Sequence, residues 1–193
     1  MLNMIKLFNE KIGFPLRWKY LVSRLSPYLN DVNKVLDLGA SCGRLANELS
    51  KKHPKIDFVG VDTHVQPKTF IPIKEYDGKK LPFPDNSFDC VIIIDVLHHD
   101  ENPEIILKEA KRVSKKYILV KDHFWNNKLD FLLLKYADYF GNKPYGVKLP
   151  YNFFKISDWN NIIRKVNLKI TKSEKFRYNF IDPCKHIIFL LQK

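Results

Sequence analysis

The stretch Ser87–Val96, "SFDCVIIIDV", carries five apolar residues in succession at Cys90–Ile94. A strand wetted on one face alternates apolar and polar residues. An unbroken run belongs to a strand covered on both faces, as in a parallel sheet. The turn "PFPDNS" precedes it and "LHHDENPEIILKEAKRVSK" follows, with Asn102 placed to cap a helix, Pro103 at its first position, and Ile106, Ala110 and Val113 on one face. The same alternation recurs elsewhere. "NKVLDLG" reads as a buried strand, "RLANELSKKH" as a helix from Arg44, "KIDFVGVD" as a second strand and "KYILVKD" as a fifth. "FIPIKEYDG" is a weaker third strand, which Pro72 places at an edge. Ahead of the sheet, residues 15–29 set Leu16, Tyr20, Leu21, Leu25 and Leu29 on one stripe of an amphipathic helix. Asp158–Lys165 is helical after a Ser157 cap. "NLKITKSEKF" and "KHIIFLLQK" close the chain with no helix between them, which predicts an antiparallel pair. The expected fold is α/β: a seven-stranded, mostly parallel sheet with an antiparallel last strand and helices on both faces.

At 193 residues the chain has room for one well-buried domain, 1–193, so any cofactor and substrate sites must share a core. Residues 1–31 form an N-terminal helical segment of it and residues 124–156 an insertion after the fifth strand. The net charge of +12 would suggest nucleic acid if it were clustered, but the lysines stand singly or in pairs and no arginine stripe exists. A solvated lysine-rich surface is the reading, and no nucleic-acid partner is expected. Cys42, Cys90 and Cys184 are odd in number and lack metal-ligand spacing, so they read as reduced thiols and no metal is expected. No apolar run approaches the length of about 18 residues that a membrane span needs. "MLNMIKLFNEKIGF" carries Lys6 and Glu10 and lacks a small-residue cleavage site, so it does not read as a secretory signal. A cytoplasmic location is the expectation.

In sheets of this kind ligands bind at the carboxyl ends of the strands. Those ends are Asp37 to Gly43, Asp62, Asp77, Asp95 and Asp122. The first, "VLDLGASCG", contains Gly39-Ala40-Ser41-Cys42-Gly43, the G-x-S-x-G pattern of a hydrolase nucleophile elbow. The order Ser41, Asp95, His99 matches that fold, yet the elbow comes too early in the chain and no upstream loop offers an oxyanion donor. A dinucleotide site would need G-x-G-x-x-G, and Ser41 and Arg44 stand at two of those positions, with Asp37 repelling a diphosphate. S-adenosylmethionine fits better, because its amino-acid end offers a carboxylate and an ammonium and carries no phosphate. Gly39, Ala40 and Gly43 allow close approach of the backbone, the helix start at Arg44 favours the carboxylate, and Asp37 answers the loop N–H groups or the ammonium.

At these residues the chain resembles the class I S-adenosylmethionine-dependent methyltransferases, in their small-molecule, methyltransferase type 11-like branch. "VLDLGASCG" matches the first motif, with Ser41 where glycine is commoner, and "FVGVD" the second strand. "YDGKKLPFPDNSFDCV" and "DVLHHDENPEIILKEAKRVSKKYILVKD" match the segments that follow. The resemblance implies a Rossmann-like fold and S-adenosyl-L-methionine as cofactor. It implies that Asp62, with Thr63 beside it, holds the ribose diol, that Asp77 and Gly78 meet the adenine, and that Asp95 lies beside the methionyl part. Together with Asp37, Gly39, Ala40, Ser41 and Gly43 these are the expected cofactor-binding residues. The segment "THVQPKT" is too short for the helix the family places after the second strand, which leaves that flank of the adenine pocket open.

Methyl transfer needs an aligned nucleophile and, for a hydroxyl or a carbon acid, removal of a proton. His99, Asp122 and His123 are the candidate catalytic groups at strand ends, with His98 packed beside them. Residues 124–156 carry Phe124, Trp125, Phe131, Tyr136, Tyr139, Phe140, Tyr145, Tyr151, Phe153 and Phe154. With the N-terminal helix they are expected to form an aromatic lid over a pocket for a small, apolar or aromatic acceptor, although more than half of them serve packing. The alternatives are an RNA or lipid acceptor, or a non-catalytic cofactor-binding protein of the same fold. Asp95-Val96-Leu97-His98 lacks the [DN]PP[YFW] pattern of base-amine methyltransferases, whereas "MLNMIKLFNEKIGF" and "FLLLKYADYF" could make weak contact with a membrane surface. The sequence leaves the oligomeric state open.

Overall fold

The computed structural model describes Leu7, Lys11, residues 13–143, Gly146, residues 149–180 and residues 182–193. Tyr145 and most of the N-terminal apolar stretch lie outside the described residues. Helix α1 (Phe14–Leu25) runs into a 3-10 turn, Ser26–Leu29, and leads to β1 (Lys34–Leu38). Then follow α2 (Arg44–Lys52), β2 (Asp57–Asp62), β3 (Ile73–Glu75), β4 (Phe88–Ile94), a 3-10 turn at Leu97–His99, α3 (Pro103–Val113) and β5 (Ser114–Phe124). The chain ends with α4 (Lys128–Asn142), α5 (Ile156–Lys165), β6 (Lys169–Phe176) and β7 (Lys185–Gln192). The seven strands form one sheet in the order β3-β2-β1-β4-β5-β7-β6. All neighbouring pairs are parallel except β5 with β7 and β6 with β7, so the last strand is the antiparallel one.

The unbroken apolar run of β4 has the two-sided cover that its composition requires. Phe88, Val91 and Ile93 join a core formed with α3 and α5. Cys90 and Ile92 point the other way, into a core formed with α1 and α2. Burial of each such side chain contributes roughly 1.5–3 kcal/mol, so β4 is the best-anchored strand of the sheet. A third, smaller cluster, Leu134 of α4 with Phe153 and Cys184, lies apart from both faces. The edge position of β3 follows from its three residues and the Pro72 before it.

The structure departs from the sequence reading in four local places. Leu16 is 64% exposed and does not share the buried stripe of Leu21, Leu25 and Leu29, to which Val22 belongs instead. The apolar face of α1 begins a turn later than the pattern suggests. Asn102 stands at the start of α3 without a side-chain cap, and its own N–H donates to Asp100 Oδ1 at 2.6 Å. Helix α5 begins at Ile156, ahead of Ser157, since the Asp158 carboxylate accepts from Lys155 N at 2.9 Å and closes the first turn. Strand β5 runs on to Phe124, where it pairs with Lys185, so it is longer than "KYILVKD". Among the described residues no helix is long and apolar enough to cross a membrane, and all three cysteines are free thiols.

Candidate functional site

The loop after β1 is bound to the end of β2: Gly39 N and Ala40 N both donate to Val61 O, at 2.9 and 3.0 Å. Gly39 has φ +77°, and a Cβ built on it would lie 2.4 Å from Val96 Cγ2. Gly43, at φ +74°, would bring its Cβ 2.4 Å from Ile71 Cγ1. Both positions therefore combine a left-handed backbone with no room for a side chain. Ser41 also has a left-handed backbone (φ 53°), and its N–H donates to Asp62 Oδ2 at 2.7 Å. Asp62 Oδ1 accepts from His64 N at 3.1 Å, so this carboxylate joins the ends of β1 and β2. Among the described residues no histidine or carboxylate is hydrogen-bonded to Ser41 Oγ, the contact an elbow nucleophile requires. Asp37 lies beneath the loop, 4% exposed, and burial, reinforced by Asp62, pushes its carboxyl up to about 7.

A cavity of about 320 Å³ opens over this loop, lined by Gly39, Ser41, Asp62, Thr63 and Gly78 among others. Five of the expected cofactor residues are thus brought to one surface, and Asp95 closes its far end. Asp37, Ala40, Gly43 and Asp77 stand outside the lining. Asp77 is turned to its own chain, where Oδ1 accepts from Lys79 N and Lys80 N, both at 2.8 Å, and these bonds hold its carboxyl below the usual range. No helix follows β2; residues 63–72 are irregular and leave that flank of the cavity without a helical wall.

A second cavity, about 300 Å³, adjoins the first and shares Asp95, His99 and Asn142 with it. Its walls come from α1 through Arg17, from α4 through Leu134 and Asp138, and from the start of β7 through His186. Asp95 sits between the two cavities, with Lys121 Nζ 2.6 Å from Oδ1 and 2.8 Å from Oδ2 and with Arg17 bonded to Oδ2. Burial alone would raise this carboxyl, but Lys121 and then Arg17 hold it well below the usual range. Lys121 is itself wholly buried.

Four histidines meet here. His98, 2% exposed, has Nδ1 at 2.6 Å from Asp122 Oδ1. Burial opposes its charge, but Asp122, helped by Asp138, wins and raises it to about 10, so His98 is an imidazolium at neutral pH. Asp122 is wholly buried, also accepts from His123 N at 2.7 Å, and lines neither cavity. His123 and His99 are lowered, first by burial and then by the neighbouring cations Lys121 and His98 respectively. His186 Nε2 lies 2.9 Å from Asp182 Oδ2, and burial with Lys121 lowers its imidazole to about 3. Such a set can hold a polar ligand and accept a proton from it.

Comparison with known proteins decides the family. Residues 12–173 match the family described as "Methyltransferase domain". The chain belongs to this methyltransferase family. Among curated relatives, the demethylmenaquinone methyltransferase of Thermotoga maritima is 28% identical over 111 residues, 54% of this chain and 48% of that protein. The chain thus matches less than half the length of that relative. Among solved structures, the PH0226 protein of Pyrococcus horikoshii OT3 superposes with a TM-score of 0.71 at 19% identity, covering 94% of this chain and 92% of that one. The 1,6-didemethyltoxoflavin-N1-methyltransferase of Burkholderia thailandensis, solved with 1,6-didemethyltoxoflavin and S-adenosylhomocysteine, superposes with a TM-score of 0.68 at 13% identity, covering 89% and 76%. At these identities the two structures show a shared fold.

Within this methyltransferase, sequence reasoning missed Arg17, Lys121, Asp138, Asp182 and His186. Lys121 alone left a local signal, a lysine directly after the apolar run "YILV" of a strand that had to be buried. The others lie on four separate elements or loops, and only the fold brings them together. Of the aromatics expected to line a lid, Phe153 borders the second cavity, whereas Trp125, Phe131 and Tyr151 pack around it and Tyr136 is 62% exposed.

Proposed function

We infer that this chain transfers the methyl group of S-adenosylmethionine to a small acceptor carrying an ionisable hydroxyl or amine. The observation that carries the reading is the adjacency of the two cavities, one over the glycine loop and Asp62, the other lined by histidines, with Asp95 and His99 common to both. In the first, Asp62 is placed to exchange its loop hydrogen bonds for the ribose diol, Gly78 leaves room for the adenine, and Asp95 faces the methionyl end. Asp37 lies buried beneath the loop, and Asp77 holds the adenine-side turn through Lys79 N and Lys80 N. A cofactor so held directs its methyl group toward the second cavity, where in-line attack needs little beyond alignment.

The second cavity is more polar than the expected apolar or aromatic pocket. Arg17, His123, Asp138 and His186 suit a polar acceptor, and Phe153 with Leu134 supplies its apolar wall. His99 and His123, both lowered and therefore neutral, are the bases within reach; Asp122 acts through His98 as a positioning group. Helices α1 and α4 form the lid in this reading. The methyltransferase names of both the Thermotoga maritima relative and the Burkholderia thailandensis structure support methyl transfer, and the S-adenosylhomocysteine and 1,6-didemethyltoxoflavin bound in the latter support the cofactor and a small acceptor. A second reading, contact with a membrane surface by a lipid-like acceptor's enzyme, is favoured by the exposed α4 stripe of Leu129, Leu132, Tyr136 and Phe140. Incubation with methyl-labelled cofactor and a metabolite extract tests the first reading. Label in a water-soluble product supports it; label confined to a lipid fraction supports the second.

A further inference from the structure

We propose that His98, His99 and Asp138 form a binding site for a divalent transition-metal ion of the zinc class, placed to take the acceptor's hydroxyl oxygen as a further ligand. The choice of acceptor rests on the methyl-transfer reading above; the metal site rests on the side chains themselves. His98 Nε2 lies 3.9 Å from Asp138 Oδ1, and His99 Nε2 lies 4.0 Å from the same oxygen. Both distances are too long for a hydrogen bond. The three ligand atoms nonetheless lie within 4.8 Å of one another. Nitrogen and oxygen ligands sit about 2.0–2.2 Å from zinc, which separates them from each other by roughly 3–4 Å. A small inward adjustment brings this trio onto one ion.

The surroundings match what such a site needs. A metal-bound histidine commonly gives its other ring N–H to a carboxylate, which fixes the tautomer and strengthens the ligand. His98 does this, with Nδ1 2.6 Å from Asp122 Oδ1 and Nε2 left to face Asp138. Asn142 Nδ2 donates to Asp138 Oδ1 at 2.6 Å and orients that carboxylate in turn. Asp138 is 8% exposed, and among the described residues its Oδ2 has no hydrogen-bond partner, nor has His99 Nδ1. The orphan Oδ2 belongs to the same carboxylate as Oδ1, so a cation held by that carboxylate lowers the cost of leaving Oδ2 without a donor.

Asp122 and Asp138 are both buried and set two carboxylates beside this pair of imidazoles, a donor set whose charge suits a divalent ion. His98, His99 and Asp138 all line the second cavity, so an ion held by them is reached from it. An acceptor hydroxyl bound there loses its proton more readily, as water does on zinc. The proton leaves to solvent or to the His123 imidazole; the oxygen's electron pair then forms the new O–CH3 bond as the methyl–sulfonium bond breaks, with its pair staying on the sulfur of the departing S-adenosylhomocysteine. The group of Asp95 with His123 and His186 is less suited, because Asp95 already faces the Lys121 ammonium and Arg17. The sequence offered no metal motif because the ligands come from a 3-10 turn and from α4, some 40 residues later.

Titration of the full-length protein with Co²⁺, read by visible absorption, tests this, with Zn²⁺ competition as a second readout. The expected result is one saturating equivalent displaced by Zn²⁺. Asp138→Asn and His99→Gln are each expected to weaken binding at least about tenfold while thermal melting shows them folded. Absence of saturable binding to the wild-type protein, or binding that both folded variants retain, would overturn the proposal. Calorimetry with S-adenosylmethionine is run in parallel. Cofactor binding without Co²⁺ binding removes the metal and leaves the methyl-transfer reading; Co²⁺ binding without cofactor binding does the reverse.

Discussion

The Lys121 ammonium lies between the two carboxylate oxygens of Asp95, 2.6 and 2.8 Å away, in a site where Lys121 has no exposed surface. Removing one partner of a buried ion pair strands the other charge and costs about 3–5 kcal/mol. Lys121→Met is therefore expected to lower stability by an amount in that range, softened by the Arg17 contact that Asp95 keeps. The double variant Lys121→Met with Asp95→Leu should be less destabilised than the single one. Urea unfolding of the three proteins measures both effects.

The loop after β1 gives a sharp contrast between two neighbours. Gly39→Val drives a branched side chain against Val96 at a left-handed backbone, so it should abolish cofactor binding and lower the melting temperature. Ser41→Gly relieves a left-handed non-glycine residue and should leave affinity within about threefold, with stability equal or slightly raised. Calorimetry and thermal melting report each. A hydrolase would lose all activity with Ser41.

Asp37 sets one pH dependence. Its carboxyl is raised from 3.8 to about 7 by burial and by Asp62, so its contribution to stability is fully present below the unfolded value and is lost as pH rises through about 7. The loss is on the order of 4 kcal/mol at most. Asp37→Asn should therefore gain on the wild-type protein in melting temperature between pH 5 and pH 8. A gap that stays constant over that range would contradict the assignment.

The His98–Asp122 pair sets another. His98 is raised from 6.5 to about 10, so its contribution is present below 6.5 and fades as pH climbs through about 10. Asp122 is lowered, and its contribution is lost at the acid end. In the metal-free protein, nitrogen-15 spectra at pH 7.5 should show both ring nitrogens of His98 protonated and His186 neutral.

What the sequence made legible was whatever rests on local pattern. The run at Cys90–Ile94 announced a strand covered twice, and the ends of β1 and β2 announced Gly39, Ser41 and Asp62, because strand periodicity and glycine loops are short-range signals. The site at the far side of Asp95 was not legible in the same way. Arg17 and Lys121 meet on Asp95 from 78 and 26 residues away, and His186 reaches the cavity through an antiparallel pairing that places it opposite His123. Such convergence depends on strand order, which no local window contains. The lid is intermediate: its aromatic content was visible, but which rings face the cavity depends on how α4 packs against Tyr151 and Phe153.

The central claim is that the cavity over Gly39, Ser41 and Asp62 holds S-adenosylmethionine, and calorimetric titration of the wild-type protein and Asp62→Ala tests it most directly. The expected result is saturable binding of S-adenosylmethionine and S-adenosylhomocysteine to the wild-type protein, with a loss of at least about tenfold in the variant as the charge-assisted bonds to the ribose diol disappear. Unchanged affinity in Asp62→Ala, or no binding of either compound to the wild-type protein, would contradict it.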